Sequence, residues 1–223
     1  GTHWTEPGAW TAAPGVLRIP LPLPMDGLRA VNVYVLEADD GLTLIDGGWA
    51  IEGSRELLEK SLAGAGHDLR DIRRFLVTHV HRDHYTQAVT LRREVGAVIS
   101  LGIGDKPTLD LVQEGRSAGD PPARILREAG AEELAQQWSE FSDRQTIDES
   151  LWGYPDTWLE DDHPIAVGTR TLDAISTPGH TQGHYVFADA SAGLLFAGDH
   201  VLPTITPSIG FEPVVDEFRD DPF

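Results

Sequence analysis

Cysteine is missing altogether from the 223 residues, and methionine occurs once. Without cysteine there is no disulfide framework, no thiolate nucleophile and no thiolate-bound zinc. A metal site in this chain must therefore be built from histidine and carboxylates. Long apolar runs are missing too: no stretch of about eighteen apolar residues occurs, so no membrane span is predicted. No secretory leader is visible, and a start at Gly1 rather than methionine suggests a processed or trimmed end. A cytoplasmic location is the expectation. Positive charge is scarce: 17 Lys and Arg stand against 36 Asp and Glu, a formal net charge of −19. Between Asp143 and Phe223, fifteen acidic residues are opposed only by Arg144, Arg170 and Arg219. Such a field favours solubility and repels polyanions, and no basic stripe exists to hold a nucleic acid.

What is present is a core-sized complement of apolar residues, 40% of the chain, cut into short runs by turn signals. The length favours one domain over residues 1–223. Gly15–Pro20 and Ala30–Ala38 read as strands. The Asp39-Asp40-Gly41 turn returns the chain as a partner strand at Leu42–Ile45, which Asp46-Gly47-Gly48 ends in a tight loop. Ile51–Ala63 places Ile51, Leu57, Leu58 and Leu62 on one helical face; Ile72–Thr78 is a strand, Tyr85–Val95 a helix and Ala97–Leu101 a strand. This alternation predicts a layered α/β domain. Residues 105–162 break the rhythm: Pro121-Pro122 opens an amphipathic helix, Leu134, Trp138 and Phe141 recur at helical spacing, and Trp152, Tyr154 and Trp158 follow. The segment reads as a helical insert, either a packed hairpin or an aromatic-lined lid over a pocket. Strands resume at Ile165–Val167, Thr171–Ser176, His184–Ala188 and Leu194–Ala197.

Thr78-His79-Val80-His81-Arg82-Asp83-His84 carries the chemistry. Alternation at the end of a strand puts His79 and His81 on one side, where two imidazoles can chelate one cation. Asp83 and His84 follow at a loop-to-helix junction that can aim both at a neighbouring point. Three histidines and an aspartate at fixed positions arise by chance in on the order of one chain in a thousand. Two later segments add weaker signals: Thr177-Pro178-Gly179-His180, a rigid turn with a histidine at its tip, and Gly198-Asp199, a carboxylate at a strand terminus. Together they supply His79, His81 and His180 for one metal, and Asp83, His84 and a bridging Asp199 for a second. Three neutral imidazoles suit a zinc that keeps an open position for water.

The string H-x-H-x-D-H, with L-I-D-G-G upstream and P-G-H and G-D downstream, resembles the metallo-β-lactamase-fold hydrolases from about Leu28 to Asp199. The resemblance implies an αββα sandwich of four layers with the metals at the edge where two sheets meet. It also implies that Asp46 orients the ligand loop from behind the metals. Members that hydrolyse β-lactams usually place a cysteine in the second site; a bridging carboxylate instead resembles the glyoxalase II, thioesterase and lactonase side. The expected activity is hydrolysis of a small acyl ester, lactone or thioester by an activated water. Asp83 and Asp199 are the catalytic carboxylates, and two zinc ions are the expected cofactor.

One departure matters. Relatives of the glyoxalase II type carry a further histidine near the C-terminus, and none follows His200 here. The ending Phe218-Arg219-Asp220-Asp221-Pro222-Phe223 reads as cut in mid-element. Two other readings stay open: a mononuclear iron dioxygenase acting on a persulfide, and a single-metal or metal-free binding module. A flavin-linked di-iron reductase would need a glutamate at His81 and a flavodoxin domain, and is rejected. Among the remaining histidines, His3, His67 and His163 read as surface residues and His184 as a packed one; His200 is expected to face away from Asp199.

Overall fold

Alternation along the central strands sorts their apolar residues onto two faces, and both faces are used. In the computed structural model, which describes residues 4–24, 28–114, 121–142 and 148–209, seven strands form one sheet in sequence order. They are β1 (Trp10–Ala13), β2 (Val16–Pro22), β3 (Ala30–Ala38), β4 (Gly41–Ile45), β5 (Ile72–Leu76), β6 (Val98–Gly102) and β7 (Thr157–Leu159). Strands β1 to β4 pair antiparallel; β4 to β7 pair parallel. Parallel neighbours need crossovers. Helix α1 (Ser54–Gly64) supplies the first and α2 (Arg82–Val95) the second, while α3 (Lys106–Gln113), α4 (Pro121–Glu128) and α5 (Glu132–Ser142) lie between β6 and β7. The second sheet has four antiparallel strands, ordered β11 (Leu194–Phe196), β10 (Tyr185–Asp189), β9 (Arg170–Ser176) and β8 (His163–Val167).

On the helix side of the large sheet, Val33 and Val35 of β3 and Leu44 of β4 pack with Leu58 of α1 and with Tyr85 and Val89 of α2. The opposite face carries Leu36, Ile45 and Leu76, which meet Leu172, Tyr185 and Phe187 of the small sheet. The period of two in β3 thus feeds two separate cores. This is the α/β sandwich of two facing sheets with helices that the sequence implies.

Boundaries differ where side chains serve something other than the core. Helix α2 begins at Arg82, three residues before the apolar period at Tyr85, because its first turn holds Asp83 and His84 instead of core residues. Strand β5 stops at Leu76, so Thr78 to His81 form a loop and not a strand end. Residues 105–162 include α3 to α5, but they end in β7, a member of the large sheet. Trp152 and Trp158 pack against the helix-side core, and the Tyr154 hydroxyl donates to Asp110 at 2.7 Å. Leu134 and Trp138 on α5 are exposed. The expectation of a cut C-terminus falls on residues 210–223, and His3 likewise lies outside the described residues. Among those described, no helix is long and apolar enough to cross a membrane.

Candidate metal centre

Four loops converge at one edge of the sandwich: residues 46–48 after β4, 77–81 after β5, 177–184 between β9 and β10, and 197–200 after β11. The first is held against α2 by close packing. A Cβ on Gly47 would meet the Ala88 backbone nitrogen at 2.6 Å, so only glycine admits this approach. The Gly47 N–H donates to the His84 carbonyl at 2.8 Å. Asp46 takes a left-handed φ of 63°, unusual outside glycine but least costly for Asp and Asn.

That backbone aims the buried Asp46 carboxylate at both histidine loops. Its Oδ1 accepts from the Thr78 N–H at 2.8 Å and the Thr78 hydroxyl at 3.0 Å; Oδ2 accepts from His84 Nδ1 at 2.8 Å. With the Thr78 proton committed to Asp46, the Thr78 oxygen accepts from His79 Nδ1 at 3.0 Å. Both rings therefore carry a proton on Nδ1 and turn Nε2 toward the cluster. Among the described residues, the buried Nε2 atoms of His79, His84 and His184 have no hydrogen-bond partner, Asp199 Oδ1 standing 3.4 Å from that of His84. A buried polar atom left in this way costs free energy unless something else satisfies it. A metal ion is what a histidine nitrogen so placed fits.

The remaining donors close around the same point. His180 Nδ1 donates to the Ser208 carbonyl at 2.8 Å, and its Nε2 lies 3.0 Å from His81 Nδ1 and 3.3 Å from Asp199 Oδ2. Two groups of three residues have ligand atoms within 4.8 Å of one another: His79, His81 and His180, and His79, His84 and Asp199. The first is the trio expected from the sequence. In the second, His79 stands where the sequence reading put Asp83. The Asp83 Oδ2 is 3.5 Å from His84 Nε2, beside the group rather than within it.

Electrostatics separate the four histidines. Burial lowers His79 well below the usual histidine value, reinforced by the neighbouring rings, and lowers His81 to about 3. Burial also opposes charge on His84, yet Asp46, Asp83 and Asp199 together hold its pKa well above normal. At His180 burial is likewise outweighed, by Asp199 and the Ser208 carbonyl. Burial pushes Asp199 up, but His84 and His180 pull it far below the carboxylate range. Three carboxylates surround the His84 ring, Asp46 at Nδ1 and Asp83 and Asp199 facing Nε2, and favour a cation at the Nε2 edge, whether a proton or a metal.

Other histidines are placed otherwise. His184 is buried, its ring stacked on His79 at 5.0 Å with Nδ1 2.9 Å from the Thr177 hydroxyl. Asp199 and His200 sit in a 3-10 turn rather than on a strand; His200 is exposed, 6.0 Å from the His184 ring. His67 pairs with Glu37 and the exposed His163 with the Asp161 carbonyl. None of these four belongs to either metal group.

Residues 26–222 match the model of the metallo-beta-lactamase superfamily. The chain belongs to that superfamily. It is 27% identical over 175 residues to the uncharacterized protein YobT of Bacillus subtilis (strain 168), covering 77% of this chain and 62% of that one. The chain thus spans less than two thirds of that relative's length. Among solved structures it is similar to a metallo-beta-lactamase family protein of Thermus thermophilus. The TM-score is 0.66 at 27% identity, with 94% of this chain and 69% of the other covered. A beta-lactamase domain protein of Burkholderia ambifaria gives a TM-score of 0.69 at 23% identity over 95% and 63%; at that identity the likeness is one of fold.

Two features of this metallo-beta-lactamase-fold chain escape a sequence reading. One is Asp105, fully buried behind the metal loops. Its Oδ2 accepts from the Val80 N–H at 2.8 Å and its Oδ1 from the Gly183 N–H at 2.9 Å, so one carboxylate clips the His79–His81 loop to the His180 loop. Burial raises its pKa to about 6 against the N–H donors of Gly183 and Val80. Only the glycine spacing around it hinted at close packing: a Cβ on Gly183 would fall 2.3 Å from the Asp105 nitrogen. The other is a cavity of about 1040 Å³ that opens beside Asp83, His84 and Asp199. Its aromatic lining is Trp4, Trp10, Tyr34 and Phe196, and no described residue of 105–162 lines it.

Proposed function

We propose that this chain is a metal-dependent hydrolase of a small acyl ester, lactone or thioester. The observation that supports it is the pair of buried Nε2 atoms on His79 and His84 with no hydrogen-bond partner among the described residues, each fixed through its other nitrogen by the Asp46–Thr78 network, with a cavity opening beside His84. His79, His81 and His180 would hold one ion; His84 and Asp199, with His79 alongside, would hold a second. Zinc fits a set of neutral imidazoles and carboxylates without thiolate, and iron is the alternative. Such an ion lowers the pKa of a water toward neutrality and polarises a carbonyl oxygen.

The chain's own residues do the rest. Asp46 fixes the ring orientation of His79 and His84 before substrate arrives, so no reorganisation accompanies the reaction. Asp83, only partly buried and 3.5 Å from His84 Nε2, takes a proton from the attacking water and passes it to the leaving oxygen or sulfur. Water adds to the acyl carbon, the C–O or C–S bond breaks, and an acid and an alcohol or thiol leave. The apolar and aromatic walls suit an acyl group, and the acidic surface suits a small substrate better than a nucleic acid. A cytoplasmic location belongs to the same proposal.

Elemental analysis of the purified protein is the first test, followed by turnover of esters, lactones, thioesters and β-lactams. Two zinc ions per chain with acyl hydrolysis supports the proposal. One iron with oxygen consumption on a persulfide moves the protein to the dioxygenases, β-lactam turnover alone changes the substrate class, and no bound metal overturns the catalytic reading.

A further inference from the structure

The metal cluster occupies one side of the cavity, and the large sheet lies along another. Arg18, Tyr34 and Ile45 stand opposite one another on three adjacent strands, β2, β3 and β4, and Ile45 precedes Asp46. All three line the cavity. With strands about 4.8 Å apart, the Arg18 backbone is roughly 10 Å from that of Ile45. Over this row the small sheet ends: Phe196 of β11 meets Tyr34 edge-on at 5.2 Å.

Arg18 is the one Lys or Arg among the described residues that line the cavity. Its Nη1 donates to the Trp4 carbonyl at 2.8 Å and to Asn32 Oδ1 at 2.9 Å, which fixes the plane of the guanidinium. No carboxylate pairs with it among the described residues. Arg55, Arg70, Arg92 and Arg170 each have an acidic partner; Arg73, Arg74 and Arg93, like Arg18, rest on carbonyl oxygens instead, but none of these three lines the cavity. A fixed, half-buried guanidinium with no acidic partner among the described residues, in a cavity of aromatic walls, is built to receive a planar anion through its remaining nitrogens.

We infer that Arg18 is the anchor for an anionic group on the substrate, so that the acyl ester, lactone or thioester cleaved here carries a carboxylate or phosphate at its far end. This rests on the hydrolase reading above. The scissile carbonyl lies at Asp83 and Asp199, an apolar stretch of the substrate passes Tyr34 and Phe196, and the anion meets Arg18, whose backbone stands roughly 10 Å from that of Ile45 at the start of the metal loop. The separation gives the site two fixed points, which sets both the length and the charge of what it accepts.

The test compares nitrophenyl octanoate, nitrophenyl hydrogen suberate and the matching phosphate-tailed ester on the metal-loaded chain, as wild type, Arg18→Met, Arg18→Lys and Arg18→Glu. The expected result is a wild-type kcat/KM about ten- to a hundredfold higher for an anionic ester than for the neutral one. That ratio falls to near one in Arg18→Met, survives in part in Arg18→Lys, and reverses toward an ammonium-tailed ester in Arg18→Glu. Which tail is preferred tells carboxylate from phosphate. Equal ratios in wild type and Arg18→Glu would overturn the anchor while leaving the hydrolase reading intact. If no ester is turned over, the hydrolase reading fails, and calorimetric titration of suberate and of an alkyl phosphate into the metal-free chain decides the anchor separately. Binding that Arg18→Glu abolishes upholds it; binding equal in both proteins, or none in either, overturns it.

Discussion

Asp46 shows how much one side chain decides. Its carboxylate accepts from Thr78 and from His84 Nδ1, and so selects the tautomer of two candidate ligands at once. In Asp46→Asn the left-handed backbone is tolerated, because Asn adopts it as readily as Asp. An amide cannot accept on both sides, however, and its NH2 must oppose either Thr78 or His84 Nδ1–H. The expected outcome is a folded protein whose zinc affinity, read by competition with a chromophoric chelator, falls about ten- to a hundredfold. Asp199 and Asp83 should separate by the same logic. Asp199 lies within a ligand group with His79 and His84, and Asp83 stands beside it. Asp199→Ala should lose about one metal equivalent along with activity, whereas Asp83→Ala should keep its metal and lose about a hundred- to ten-thousandfold in kcat. Equal metal loss in both would contradict these roles.

At the scale of elements, the site depends on how closely loops approach helices. The loop after β4 touches α2 through Gly47, where a methyl group would press on the Ala88 backbone nitrogen at 2.6 Å and its Cβ at 2.7 Å. Neither atom belongs to a flexible side chain, so α2 itself would have to move, carrying Asp83 and His84 with it. Gly47→Ala should destabilise the fold by about 1–3 kcal/mol in urea unfolding and lower metal content. Gly64, at the end of α1, has nothing within 4 Å of such a methyl group. Gly64→Ala should be neutral or stabilise by up to about 1 kcal/mol. A Gly47→Ala protein as stable as Gly64→Ala would show that the close approach does not matter.

For the whole molecule, the buried Asp105 links the fold to pH. Its folded pKa is about 6 against an ordinary 3.8, so between these values the folded state binds more protons than the unfolded one. Its contribution is complete below about pH 4 and is lost as pH rises through about 6. At about 1.4 kcal/mol per unit the loss is on the order of 3 kcal/mol. Urea unfolding of the metal-free protein from pH 4.5 to 7 should therefore give a stability that falls with pH more steeply in wild type than in Asp105→Asn. Taking the difference removes the general repulsion of a chain with net charge −19, which both proteins share. Parallel pH profiles would mean that Asp105 is not held protonated.

The sequence by itself determined whatever is encoded locally. Ligand-type residues cluster in one short segment from His79 to His84, and alternation or helical period runs within single elements, so candidate ligands could be named and the α/β layering was legible. Helix α2 was misread at its start because Asp83 and His84 interrupt the apolar period on which such a reading depends. Tertiary structure alone decided what involves partners far apart in the chain. Asp105 reaches Val80 across 25 positions and Gly183 across 78. Arg18 becomes a cavity residue only when three strands align and β11 stops above Tyr34. His79, not Asp83, sits in the second ligand group because the Thr78 hydroxyl turns its ring, a hydrogen bond that depends on Asp46 arriving from another strand. Residue type and spacing specify which atoms can ligate; the direction in which each points is fixed by contacts that form only when the chain packs.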